Sequence, residues 1–437
     1  MEVADYTALL GYLESDAYRW NAIADLGTQT VVTYSFYEPD TLPMVSGSDA
    51  GRTSYWSFDQ AQRESFRTAL EEFEEAAGLV FVEVEGPAMI NAYGYDMYNS
   101  TVGYAYYPYV TDTYTSSSDL AIAAGNFSVG GYQYDTILHE IGHALGLEHP
   151  HEGEHVLADS VDTRDNTVMT YSPGLGTELG VFDLQALEHI YGSADAFDGW
   201  NISGGGENAV RIRATSSADT ILAADVDTII LSRGGADTAQ GRNGDDRIFG
   251  GGGKDVLSGG GGNDLIKGGR GADQLFGEAG NDRIFGDRGR DILDGGDGND
   301  KVIGGGGKDV LKGGGGDDKI KGGKGADQLF GGDGDDRLIG NRGRDVLTGG
   351  DGDDVMTGGG GADVFVFTTE DYYDSNTITD FKSGVDHIDV SEIGLNNIGD
   401  LQITTTDSGT TVNYYSWFEI ELTGFTGTLT TDDILFS

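Results

Sequence analysis

Residues 139–155 read HEIGHALGLEHPHEGEH and contain H-E-x-x-H twice, at His139–His143 and at His151–His155. Two histidines four positions apart on a helix stand one turn apart on one face, so both imidazoles can reach a single zinc ion. Only the first pair has a helix to stand on. Tyr134, Ile137, Leu138, Ile141 and Leu145 fall at helical spacing around it. Gly146 then ends the helix and permits a sharp turn that would return His149 as a third ligand. The second pair follows Pro150, has Gly153 between its histidines and lies in no apolar periodicity. A helix is not expected there, so His151, Glu152, Glu154 and His155 read as loop residues at the rim of the site with no ligand role.

The elements that must hold this helix belong to a mixed globular segment ending near residue 196. Ser57-x-x-Gln60 has the form of a capping box, and Phe58, Phe66, Leu70, Phe73 and Ala77 make one apolar helical face that stops at Gly78. Leu79–Val84 reads as a strand, residues 93–114 as tyrosine-rich strands and turns, and Phe182–Tyr191 as a further helix. His189 is placed on that last helix, behind the site, and His387 has no ligand spacing around it.

From about residue 232 the chain repeats. Asp recurs every nine residues, at Asp237, Asp246, Asp255, Asp264, Asp273, Asp282, Asp291, Asp300, Asp309, Asp318, Asp327, Asp336, Asp345, Asp354 and Asp363. Glycines precede each one, and an apolar residue such as Ile248, Leu257 or Ile266 usually follows two positions later. This is the nonapeptide G-G-x-G-x-D-x-U-x of a parallel β-roll with calcium in its turns. Six residues are expected to form a glycine-rich turn offering carbonyl and carboxylate oxygens, and three a short strand with one inward apolar side chain. That core is too small to fold unaided, so calcium, on the order of ten ions if each sits between neighbouring turns, must stabilise the roll. The residue before the repeat Asp alternates between an Asn/Asp set (Asp245, Asn263, Asn281, Asn299) and a Lys/Arg/Ala set (Lys254, Ala272, Arg290, Lys308), which makes the structural period 18. The Asn/Asp edge is expected to be the stronger cation binder. Residues 254–307 and 308–361 echo one another, as an internal duplication of three coils would. GADVFVF (361–367) leaves the repeat, and the remaining tail suggests a closing β cap.

Composition agrees with bound cations. Asp and Glu number 74 against 26 Lys and Arg, a net charge of −48, in a chain too hydrophobic at 38% to be disordered. Such a balance argues against a nucleic-acid partner. There is no cysteine, so disulfides, thiolate zinc sites and a thiol-based inhibitory pro-segment are excluded. The first twenty residues lack a basic, then apolar signal peptide, and no run of 18 apolar residues could span a membrane.

The string His139-Glu140-x-x-His143-x-x-Gly146-x-x-His149 is the metzincin motif, and DNTVMTYS supplies Met169 for the methionine turn that pattern requires. With TYSF (33–36), DTRDNTVMTYS (162–172), DLQALEHIYG (183–192) and the roll in order, the chain resembles the serralysins over nearly its whole length. That resemblance implies an α+β metzincin catalytic domain followed by an all-β parallel β-roll (RTX) domain. It implies one catalytic zinc on His139, His143 and His149, with Tyr171 a switchable further ligand, and several structural calcium ions on the repeat aspartates. Glu140 would be the general base, Met169 the apolar floor, and SDLAIA (118–123) the exposed edge strand that receives substrate. It also implies a secreted, extracellular endopeptidase acting on proteins or peptides, exported by type I secretion machinery through the uncleaved tail Asp432-Asp433-Ile434-Leu435-Phe436-Ser437. A monomer without a membrane span is expected. The expected division is 1–18, a short pro-segment or the start of the mature domain; 19–196, protease; 197–231, connecting β segment; 232–367, calcium roll; and 368–437, cap with secretion signal. The alternative is a non-catalytic calcium-binding RTX surface or adhesive protein.

Overall fold

The structure, a computed structural model, describes residues 2–3, 30–36, 55–85, 88–95, 103–105, 109–111, 114–116, 118–123, 134–147, 149–150, 156–157, 163, 167–169, 178–191, 197, 199–204, 209–369, 374–395, 397–414 and 418–436. Residues 4–18 of the expected N-terminal segment, the second motif His151–His155 and Tyr171 lie outside these. The chain divides into two compact units, Met1–Ile212 with Thr220–Asp227, and Arg213–Asp219 with Thr228–Ser437.

The first unit is built on a sheet of β1 (Thr30–Phe36), β2 (Tyr55–Trp56), β3 (Leu79–Glu83), β4 (Ile90–Tyr95), β5 (Gly103–Ala105) and β6 (Ser118–Ala123). Its order is β3-β1-β4-β6-β5, with β5 antiparallel to β6 and β2 antiparallel to β4. Helix α1 (Gln60–Ala76) packs against β3 and against helices α2 (Tyr134–Ala144) and α3 (Val181–Tyr191). Its cap is Asp59 rather than Ser57, because Asp59 accepts the Gln62 amide while the Gln62 side chain accepts the Asp59 amide. The expected apolar face is in place: Phe58, Phe66, Leu70, Phe73 and Ala77 are all buried, in one core with Ile90, Ile122, Ile137, Ile141 and Leu187. Every residue of α2 is buried, polar ones included.

One expectation about the sheet is corrected. Residues 118–123 do not form its edge: β6 pairs with β4 on one side, and Leu120–Ile122 pair with β5 on the other. The short strand β5 takes up the hydrogen-bonding groups that an incoming peptide would need, and is itself the last strand of the order.

The second unit is a parallel β-solenoid of about nine turns. Successive strands alternate between two sheets, so Arg247–Gly252 pairs with Leu265–Arg270, and Val256–Gly261 with Gln274–Ala279, always 18 residues on. The strands run six residues, not three, since the glycines too are laddered to the next coil, as where Gly251 and Gly252 pair with Gly269 and Arg270. One apolar side chain per nonapeptide, Ile248, Leu257, Ile266 and so on to Met356, is fully buried in the interior. Beyond the roll, Gly409–Tyr414 pairs antiparallel with Gln402–Thr405 and Phe418–Thr423, closing one sheet. The tail folds as well: Ile434 and Leu435 pair with Ile388 and Asp389. Beside them, the buried Asp433 carboxylate accepts hydrogen bonds from Ser383, Gly384 and Thr430.

Candidate metal centre

Helix α2 presents His139 and His143 one turn apart, and the turn at Gly146, whose φ of 92° favours glycine, returns the chain to His149. The Nε2 atom of His149 lies 3.2 Å from that of His139 and 3.0 Å from that of His143. The Nδ1 atoms of His139 and His143 each sit 2.8 Å from a backbone carbonyl, those of Val168 and Leu147. A carbonyl only accepts, so both Nδ1 atoms carry the proton and both Nε2 lone pairs face the common point. Burial, then the neighbouring His139 and His149, hold the His143 imidazole well below its ordinary pKa, against the Leu147 carbonyl, so it is neutral. Three convergent imidazole nitrogens this close repel one another unless a cation lies between them. A tetrahedral zinc with bonds of about 2.0–2.1 Å would set them about 3.3 Å apart. The donor set fits that ion.

Glu140, next along the buried helix, accepts the backbone amide of Ala105 on β5. Burial outweighs that hydrogen bond and pushes its carboxyl up to about 8. Met169 lies under α2: a Cβ placed on Gly142 would come within 2.5 Å of its sulfur. The turn bearing Met169 is held by Asp183, in the first turn of α3. Its carboxylate accepts the Thr167 hydroxyl at 2.5 Å and the Val168 and Gly180 amides at 2.8 Å. Asp183 thereby fixes the carbonyl that orients His139. Tyr191, at the far end of α3, donates to the Leu145 carbonyl at 2.9 Å and anchors the end of α2.

The structure thus brings His139, His143, His149, Glu140 and Met169 together. Among the described residues these histidines are the only group of three His, Cys, Asp or Glu side chains placed to share an ion. Sequence reasoning missed Asp183, Val168 and Leu147. Two of these act through backbone carbonyls and leave no mark in the sequence. Asp183 could have been found as an acidic residue opening the helix that follows the methionine turn.

All fifteen repeat aspartates are buried. From Asp255 to Asp345, each Oδ1 accepts the amide of the Asp one coil earlier at 2.7–3.0 Å. Each Oδ2 in the same span is buried and has no hydrogen-bond partner. It faces a glycine that must lack a Cβ: at Gly250 a Cβ would stand 2.4 Å from Asp255 Oδ2 and 2.9 Å from the Gly268 carbonyl oxygen. Buried, unpartnered carboxylate oxygens beside carbonyls are the hard donor set that calcium takes. Burial pushes Asp264, Asp318 and Asp336 up to about 7, partly offset by those amides. Asp291, on the Lys/Arg/Ala edge, is pushed up to about 7 as well, while the first three lie on the Asn/Asp edge. On the Asn/Asp edge the exposed side chains accept amides along their own ladder, as Asn263 does from Asn281 at 3.0 Å.

Comparison with known proteins agrees with the roll. The family model described as the RTX calcium-binding nonapeptide repeat (4 copies) matches residues 232–266, 258–293, 267–302, 294–329, 303–338 and 330–365. A serralysin of Proteus mirabilis is 27% identical over 233 residues, 43% of this chain and 45% of that protein. Serralysin A of Dickeya chrysanthemi is 27% identical over 204 residues, 41% of this chain and 42% of the relative. The chain therefore spans less than half the length of these relatives, and the matches fall in the C-terminal repeat region. The solution structure of the AlgE6R3 subunit from the Azotobacter vinelandii mannuronan C5-epimerase is 35% identical, covering 28% of this chain and 80% of that one with a TM-score of 0.25. The repeats give the chain a C-terminal RTX calcium-binding domain, and through it the chain is similar to the serralysins.

Proposed function

We propose that the first unit is a zinc endopeptidase, exported through type I secretion machinery and folded outside the cell by calcium. The observation that carries this reading is the convergence of three Nε2 atoms, two from helix α2 and one from His149 beyond the Gly146 turn, beside the buried Glu140 carboxyl of that helix. Zinc held by His139, His143 and His149 would polarise a peptide carbonyl and lower the pKa of a water. Glu140 would take the proton from the attacking water and later deliver it to the leaving amine. Its amide partner, Ala105, lies on the terminal strand of the sheet, so an extended substrate adding its backbone to β5 would carry its carbonyls past Glu140. Met169 would supply the apolar floor, and Tyr171, by the resemblance to serralysins, would be a further residue able to hold the metal. The division into a protease (19–196), a connecting segment (197–231), a roll (232–367) and a cap (368–437) belongs to the same reading.

The test is Glu140→Ala in the calcium-loaded full chain. Casein hydrolysis should be lost while one zinc per chain is retained; undiminished hydrolysis would refute the assignment. An inactive parent with zinc bound would instead favour the non-catalytic surface protein.

A further inference from the structure

The net charge of −48 conceals a sharp segregation. The six strands from Arg247–Gly252 to Arg337–Arg342 in one sheet of the roll carry eleven Lys and Arg and a single acid, Asp287. The six strands of the opposite sheet from Val256–Gly261 to Val346–Asp351 carry five acids and only Lys312. The cations stand in columns fixed by the 18-residue register. Arg247, Arg283, Lys301, Lys319 and Arg337 form the first column, and Arg270, Arg288, Lys324 and Arg342 the last. All nine are exposed, and among the described residues none forms an ion pair. The adjoining turn extends the field with Lys254, Arg290, Lys308 and Arg344, while the other turn carries the Asn/Asp ladder. The three-coil echo reproduces the pattern, pairing Arg270 with Lys324, Arg283 with Arg337 and Arg288 with Arg342. Like charges stacked at a strand spacing of about 4.8 Å repel one another, so the fold gains nothing from this arrangement by itself.

We infer that this face is a docking surface for a linear acidic polysaccharide. A ladder of cations about 24 Å long on a sheet about 20 Å wide complements a narrow chain bearing carboxylates or sulfates at regular intervals. The width decides between polyanions. A bilayer would overhang the face and bring its own charge within a Debye length, about 8–10 Å, of the acidic edge, whereas a single glycan strand stays on the basic columns. Single-stranded nucleic acid would need open aromatic platforms. Here Phe249 and Phe285 are half-buried, with the Lys267 ammonium 6.0 and 5.2 Å from their ring centroids, so those faces are capped. The surface lies in the roll and does not depend on the zinc chemistry of the other unit. Its effect would be to hold the protein on an anionic extracellular matrix.

The experiment uses the calcium-loaded full chain and measures binding to hyaluronate, dextran sulfate and neutral dextran across a salt series. Phosphatidylglycerol vesicles and an oligothymidylate serve as competing classes. Binding to one or both acidic polymers should occur at about 50 mM salt, vanish toward about 0.5 M and be absent with neutral dextran. The variant Arg283→Gln/Lys301→Gln/Lys319→Gln/Arg337→Gln should bind at least about tenfold more weakly with a shallower salt slope, while Lys312→Gln on the opposite sheet binds like the parent. Circular dichroism confirms the fold, and if the fourfold variant does not fold, Lys319→Gln/Lys321→Gln/Lys324→Gln on one strand is read the same way. No binding to either acidic polymer, a folded variant within about twofold of the parent, or tighter binding to vesicles or to the oligothymidylate would overturn the proposal.

Discussion

Replacing Gly142 by Ala opposes two effects of known size. In an ordinary helix interior, alanine is about 1 kcal/mol more stable than glycine. At this position the new Cβ would lie 2.5 Å from the Met169 sulfur, well inside the separation of about 3.5–4.0 Å at which two such atoms attract. Something must move by more than an ångström, and little near Met169 is free to do so. Its amide is tied to the Thr167 hydroxyl at 3.0 Å, Val168 is tied to Asp183, and the Val168 carbonyl holds His139. Overpacking of this kind costs about 1–3 kcal/mol. The clash therefore outweighs the propensity gain, and Gly142→Ala should be destabilised by up to about 2 kcal/mol net, with zinc bound more weakly because His139 loses its orienting carbonyl. Calorimetry of the calcium-loaded chain, with a competition titration for zinc, measures both. In a Met169→Ala background the same Gly142→Ala change should cost less than in the parent, because the new methyl enters space vacated by the sulfur. A Gly142→Ala protein about 1 kcal/mol more stable than the parent, with unchanged zinc affinity, would refute the packing argument.

The roll supplies further expectations. Chelating calcium should collapse its β signal in far-ultraviolet circular dichroism, since the buried Oδ2 atoms lose their counter-charge; a spectrum indifferent to chelation would contradict this. The pH dependence of the chelated protein follows from carboxyls whose pKa is about 7 when folded, as at Asp264, Asp318 and Asp336, against about 3.9 unfolded. The folded state holds more protons in that window, so stability is present at low pH and lost as pH rises through about 7. The chelated roll should accordingly show more β structure at about pH 5 than at about pH 8, and the reverse order would show that the buried carboxyls do not control folding.

The sequence revealed most where a period existed. The 18-residue coil, the inward Ile, Leu and Val residues, and the buried aspartates followed from spacing alone, because each coil repeats the same physical problem. The histidine triad was legible for the same reason: helical spacing plus one glycine determines where His149 returns. What spacing could not show was non-local. The displacement of residues 118–123 from the sheet edge depends on β5, more than a dozen residues earlier in the chain, pairing with Leu120–Ile122. The cap at Asp59 won over Ser57 because the Asp59–Gln62 pair satisfies two amides reciprocally. Composition averages away a further feature, since a charge of −48 spread over the chain hides a basic sheet face that appears only when register stacks the lysines and arginines.

Anomalous scattering at the zinc edge, from crystals of the zinc-loaded, calcium-loaded chain, tests the central claim most directly. The account predicts one zinc about 2.0–2.1 Å from the Nε2 atoms of His139, His143 and His149, with the Glu140 carboxyl beside it but not bonded to it. A zinc held by His151 and His155, or no ordered zinc at the triad, would contradict it.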